Sequence, residues 1–203
     1  STPGISLLKK CKGFVWMKAT NDLEWDMPIV LVGLMGAGKS AIGRRLAQRL
    51  DLNFIDADTE IESKFGKTVS YIFEHYGEAE FRKQERCIIR QLLHRPPHVM
   101  ASGGGAFIDP ETRHLIRQNS LSIWLRAGLD VLHGRVQSRD DRPLLRSGEP
   151  RSILAALIGE RYPIYALADV VVDSIDGPHD EVVNKVVWAI SNHRRLRGLP
   201  EGG

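Results

Sequence analysis

Eight residues carry the most specific chemistry in the chain. Gly33-Leu-Met-Gly-Ala-Gly-Lys39-Ser40 fits the spacing G-x-x-x-x-G-K-[ST]. It follows an apolar run and opens an amphipathic one, as a strand–loop–helix junction requires. Glycines let the backbone curl so that successive N–H groups face one phosphate, and the helix N-terminus adds its partial positive charge. Gly36, Ala37 and Gly38 would form this cradle. Lys39 would reach the β- and γ-phosphates of a nucleotide, and the Ser40 hydroxyl would ligate Mg²⁺. The bland alternative is a glycine turn between strand and helix.

Three further groups could act on a second substrate. Asp56-Ala57-Asp58 ends an expected strand, where residues i and i+2 share a face and both carboxylates could meet one ligand. One acid would sit near the metal while the other accepts a proton from an alcohol; helix capping before Thr59 is the alternative. Arg82 and Glu85 stand one helical turn apart, the spacing of a surface salt bridge. Gly103, Gly104 and Gly105 follow another expected strand and allow close backbone approach to a ligand, or simply a flexible turn.

The wider chain narrows the class of phosphate chemistry. No D-x-x-G occurs, and Asn184-Lys185 is followed by two valines, which argues against a GTPase. Val170-Val-Val-Asp173 has the look of a motor-ATPase acid, but it lies far along the chain and reads as a strand terminus. Ser138–Pro150 is rich in Arg, Asp, Gly and Pro with no period, as expected of a lid. A kinase acting on a small molecule needs such a lid, because water left in the site would consume ATP.

These groups must be held by a scaffold, and the hydrophobic pattern describes one. Ile29–Val32 reads as a buried parallel strand and Lys39–Leu50 as a helix with Ile42, Leu46, Ala47 and Leu50 on one face. Asn53–Ala57, Val99–Ala101, Ser122–Leu125 and Val170–Val172 read as further strands. Helices are expected over Thr59–Phe65, Val69–Tyr76, Glu78–His94, after Pro110, and over Gly128–Gln137, Ser152–Leu167 and Asp180–Asn192. Such alternation predicts an α/β fold of three layers, a central parallel sheet flanked by helices. The 203 residues suffice for one such domain, over 28–203. Residues 1–27 read as a loosely held extension, with packing of Trp16 and Trp25 on the domain or a partner as the alternative.

Composition excludes other classes. Hydrophobic residues at 42% and charged residues at 26% describe an ordinary globular protein, and no apolar run reaches the length of a membrane span. A net charge of +3 gives no general footprint for nucleic acid. The two cysteines, Cys11 and Cys87, read as reduced and structural, and no Cys/His pair has zinc spacing. A cytoplasmic location is expected.

Taken together, GLMGAGKS, the DAD pair, EFRKQE, the triple glycine, the Arg142-Pro-Leu-Leu segment and Glu160-Arg161-Tyr-Pro resemble the shikimate kinase family, in its order and approximate spacing over about Pro28–Ile190. The resemblance implies the P-loop kinase fold and transfer of the ATP γ-phosphoryl group to the 3-hydroxyl of shikimate, on the route to chorismate and the aromatic amino acids. It implies ATP as co-substrate with Mg²⁺ held by Ser40 and Asp56, and a monomer. Lys39, Asp58 and Arg142 would be catalytic, Asp58 as base and Arg142 from the lid. Nucleotide would be bound by Gly36 through Ala41 (Ala41 standing where a second hydroxyl is optional) with Arg135 and Arg142. Shikimate would be bound by Asp58, Arg82, Gly103, Gly104, Gly105 and Arg161, and residues 59–94 would form a substrate-binding segment. Asp176–His179 falls near the family's adenine loop, with no single contact assigned. The rival readings are a kinase of gluconate or a nucleoside monophosphate, and a nucleotide-binding module without turnover.

Overall fold

The computed structural model describes residues 25–137 and 149–196. Five short strands form one sheet: β1 (Ile29–Val32), β2 (Asn53–Asp56), β3 (His98–Ala101), β4 (Leu121–Arg126) and β5 (Val170–Asp173). Their order is β2-β3-β1-β4-β5, and every pairing is parallel. β1 and β3 are buried along their whole length, as central strands covered on both faces must be. Val32 pairs with Trp124 in register, so the carboxyl ends of β1 and β4 lie side by side.

Helices α1 (Lys39–Leu50), α2 (Ala57–Phe65), α3 (Val69–Leu93), α4 (Pro110–Asn119), α5 (Leu129–Gln137), α6 (Pro150–Tyr165) and α7 (His179–Leu196) connect and follow the strands. Right-handed crossovers put α1 on one face of the sheet and α3, α4 and α6 on the other. α7 joins the first layer by packing against α1. The chain leaves β1 toward β2 and leaves β3 in the opposite direction toward β4. A crevice therefore opens between the carboxyl ends of β1 and β3, the place where open α/β sheets bind ligands.

The expected elements are present, with shifted ends. β2 stops at Asp56, and Ala57 already belongs to α2. The two helices expected over Val69–Tyr76 and Glu78–His94 are the two arms of α3, which meet at a kink at Gly77. There φ is 79°, a conformation that glycine adopts without the Cβ penalty. α6 opens at Pro150, the last residue of the expected lid, where proline's missing N–H costs the first turn nothing. Residues 138–148, the rest of that segment and Arg142 with it, lie outside the described residues. So do residues 1–24, including Cys11 and Trp16. Trp25 is partly buried against the core, with the Arg194 guanidinium 5.2 Å above its ring. Cys87 is a free thiol on an exposed face of α3, so it has no buried structural role. Among the described residues, no helix is long and apolar enough to cross a membrane.

Candidate functional site

The loop after β1 has the backbone of an anion cradle. Gly36 and Gly38 take φ of 80° and 89°, left-handed values that a side chain would strain, and Gly38 caps α1. The Lys39 ammonium arches back over the loop, donating to the carbonyls of Gly33 (2.8 Å) and Leu34 (2.9 Å). It thereby stands over the cradle that consecutive N–H groups would offer a phosphate. Ala41 follows within the first turn of α1.

Ser40 and Asp56 meet beside it. The Ser40 hydroxyl donates to Asp56 Oδ2 at 2.7 Å, joining the start of α1 to the end of β2. Asp56 Oδ1 accepts the Asp58 N–H at 3.2 Å as the N-cap of α2. The reason expected for the convergence of the two acids is therefore wrong. They do not share a strand face, because the chain turns from strand into helix between them. Asp56 both caps the helix and faces the P-loop; Asp58 is carried on the first turn of α2. Among the described residues, no group of three or more His, Cys, Asp or Glu could hold a metal ion. A hydroxyl and a carboxylate in contact nonetheless suit Mg²⁺, which keeps most of its waters and takes phosphate oxygens.

Asp58 turns toward the glycine loop after β3. A Cβ placed on Gly103 would lie 2.8 Å from Asp58 Oδ1 and 2.7 Å from Glu85 Oε1, so only glycine leaves room for the two carboxylates. On Gly105 a Cβ would overlap the Arg82 guanidinium. Gly104 faces the P-loop, its Cβ position 3.6 Å from the Met35 nitrogen. The triple glycine is thus a floor on which three ionisable side chains rest.

Arg82 and Glu85 are not the surface pair that their spacing suggests. Glu85 is 1% exposed and accepts from Arg82 NH1 at 2.5 Å, while Glu78 adds a weaker contact at 3.3 Å from the rim. Burial pushes the Glu85 carboxyl up to about 7 against the pull of Arg82, with the negative charges of Asp58 and Asp109 adding to the rise. This second acid beside Asp58 closes the EFRKQE stretch, but its i,i+3 spacing from Arg82 is one that surface pairs share.

Arg161 approaches from α6. Its Nε is buried and meets no hydrogen-bond partner among the described residues, a donor that an incoming carboxylate could satisfy. Its positive charge lies close to the Tyr165 phenol, which also feels that of Arg82, so the two arginines flank one region. Tyr165 is fully buried and donates to the Gly104 carbonyl, tying α6 to the glycine loop. Burial raises the Tyr165 phenol above its usual range, which keeps it a donor. Tyr165 was not foreseen as part of the site; its contact spans 61 residues and no local pattern marks it.

On the far side of the P-loop, Arg135 donates to the Gly36 carbonyl (3.3 Å), to Ser174 Oγ (3.0 Å) and to the Ile175 carbonyl (2.6 Å). It thus bridges the cradle and the loop after β5 that leads to Asp176–His179. Asp173 ends β5, an edge strand separated from β1 by β4, and pairs with Arg126 at 2.6 and 3.0 Å. It is a strand terminus whose carboxylate is taken up by Arg126.

Known proteins resemble this chain in sequence and fold. A family model described as shikimate kinase matches residues 35–191. The shikimate kinase of Paramagnetospirillum magneticum is 53% identical over 168 residues, 83% of this chain and 86% of that protein. The shikimate kinase of Rhodopseudomonas palustris is 50% identical over a stretch of the same length, 83% of each chain. Among solved structures, the shikimate kinase from Acinetobacter baumannii in complex with shikimate superposes with a TM-score of 0.80 at 34% identity, covering 83% of this chain and 94% of that one.

Proposed function

The chain belongs to the shikimate kinase family, and from that premise we propose that it transfers the γ-phosphoryl group of ATP to the 3-hydroxyl of shikimate, giving 3-phosphoshikimate and ADP. The observation that carries the reading is the glycine floor at the crevice. Gly103–Gly105 presents Asp58 and Arg82 directly beside the P-loop, so an acceptor lying there would meet a base, a carboxylate clamp and a phosphate donor together.

The residues divide the work. The P-loop backbone and Lys39 hold the β- and γ-phosphates in line with the acceptor. Asp58 orients the attacking hydroxyl and takes its proton as the O–P bond forms. Arg82 and Arg161 grip the shikimate carboxylate, for which a planar guanidinium fork is better suited than an ammonium. Arg135 lies on the adenine side. Arg142, which lies outside the described residues, would bring a positive charge to the transferred group as the 138–150 segment closes. Mg²⁺ bound with ATP would be held by Ser40 and, through its water shell, by Asp56, and would neutralise charge on the β- and γ-phosphates. The domain over 28–203 acts on these small molecules as a monomer.

A coupled ADP-release assay with ATP and Mg²⁺ tests the reading, run with shikimate, gluconate, AMP or no acceptor. Turnover with shikimate alone, lost in Lys39→Ala, is expected. Turnover only with gluconate or AMP would keep a P-loop kinase but remove Arg82 and Arg161 from a carboxylate clamp for shikimate. ADP or ATP binding with no turnover on any acceptor would point to a binding module instead.

A further inference from the structure

The P-loop can present its N–H groups to a phosphate only if its carbonyls point the other way. Across a trans peptide the C=O and the following N–H face opposite sides. Each outward carbonyl that is buried then needs a donor of its own. The structure supplies donors for the carbonyls of Gly33, Leu34, Gly36, Ala37 and Gly38. At the start of the loop the Gly33 and Leu34 carbonyls turn to the Lys39 ammonium; further on, Arg135 serves Gly36 and the Ile42 N–H of α1 serves Gly38 at 2.8 Å. The Ala37 carbonyl is served from a point 137 residues away, by the hydroxyl of Ser174 at 2.9 Å.

Ser174 is built to hold that bond in one direction. It is 2% exposed, and its own N–H donates to the Arg126 carbonyl at 2.7 Å, which fixes its backbone to the end of β4. Its hydroxyl has a single proton. Arg135 NH1 donates to the oxygen from 3.0 Å, so the proton is directed to Ala37. Pinning the Ala37 oxygen outward turns the Gly38 N–H toward the concave side of the loop.

We propose that Ser174 is a positioning residue for the nucleotide: it sets the Ala37–Gly38 peptide of the phosphate cradle and joins that cradle to Arg135. The kinase reading above supplies the identity of the nucleotide, and the proposal rests on it to that extent. Ser174 touches neither substrate; it acts through the P-loop peptide and through Arg135. Without it the Ala37 carbonyl would be buried unpaired or the peptide would rotate, and either change weakens the cradle before any ligand arrives.

Calorimetric titration of ADP into the full chain tests this directly. Ser174→Ala is expected to weaken ADP binding roughly tenfold, the worth of one well-placed buried hydrogen bond. Ser174→Cys keeps nearly the same volume with only a weak donor, and is expected to lose affinity similarly should the alanine variant fail to fold. KM for ATP is expected to rise in parallel, with KM for shikimate changed less than about twofold. A serine that merely supports the fold would lower Tm without this split between substrates. Unchanged ADP affinity in a folded variant, or equal losses for ATP and shikimate, would overturn the proposal. The ADP titration needs no acceptor. A wrong acceptor therefore shows as absent shikimate turnover in the wild type, whereas a wrong role for Ser174 shows as undiminished ADP binding in the variants.

Discussion

Asp58→Asn is expected to lower kcat by on the order of 10³-fold while changing ATP affinity less than about threefold, since a positioned general base contributes roughly 10²–10⁴ to rate. Asparagine keeps the size of the side chain and its place on the first turn of α2, but it cannot accept the proton of an attacking hydroxyl. Lys39 is held to the P-loop by the Gly33 and Leu34 carbonyls and Ser40 by Asp56, and these bonds remain in the variant, so nucleotide binding should survive. Stopped-flow or steady-state kinetics at saturating ATP, with ADP titration beside them, separate the two quantities. Equal losses of kcat and ATP affinity, or no loss of either, would remove Asp58 from the role of base.

The second large effect belongs to Arg82. Arg82→Ala is expected to raise KM for shikimate by on the order of 10- to 100-fold, the worth of a charge-assisted hydrogen-bond pair at about 1.5–3 kcal/mol. It should also destabilise the fold, because Glu85 is 1% exposed and would lose the cation that faces it. The pH dependence has a definite sign. A carboxyl whose folded value lies above its unfolded value binds more protons when folded, so stability falls as pH rises through that window. For Glu85 the window runs from 4.5 to about 7 with Arg82 present, and it extends higher without it. The Tm deficit of Arg82→Ala should therefore grow as pH is raised above the ordinary carboxylate range. Adding Glu85→Gln should restore much of the Tm and flatten the pH dependence while leaving the KM for shikimate high. Recovery of both Tm and KM in the double variant would make Arg82 a structural partner of Glu85 rather than a carboxylate clamp.

Why some parts of this arrangement were legible in the sequence and others were not follows from the range of the interactions. The sheet was readable because its central strands are short apolar runs bounded by turns, and α1 because Ile42, Leu46 and Ala47 mark one buried face. The P-loop carries its chemistry within eight consecutive residues, so spacing alone exposes it. The two helices expected over Val69–Tyr76 and Glu78–His94 are present, meeting at a kink where Gly77 leaves helical geometry.

The DAD pair shows the limit of pattern reading. Two acids two residues apart look alike on a strand and across a strand–helix junction, and the difference lies in one N-cap bond to the Asp58 nitrogen. The burial of Glu85 was hidden for a similar reason. An Arg–Glu pair at i,i+3 has the same spacing in water as under a glycine floor, and only the loop after β3 decides which it is. Tyr165 and Ser174 reach carbonyls 61 and 137 residues away, beyond any local period. The roles that most depend on tertiary contact were thus the ones that the sequence left unmarked.

The product itself gives the most direct test of the central claim. Wild-type protein incubated with ATP, Mg²⁺ and shikimate would be followed by ³¹P–¹H correlation spectroscopy of the acceptor product. One phosphomonoester coupled to the proton on carbon 3, formed in step with ADP and absent with Lys39→Ala, is the predicted result. A phosphate on another ring hydroxyl, or ADP formed with no phosphorylated shikimate, would contradict it.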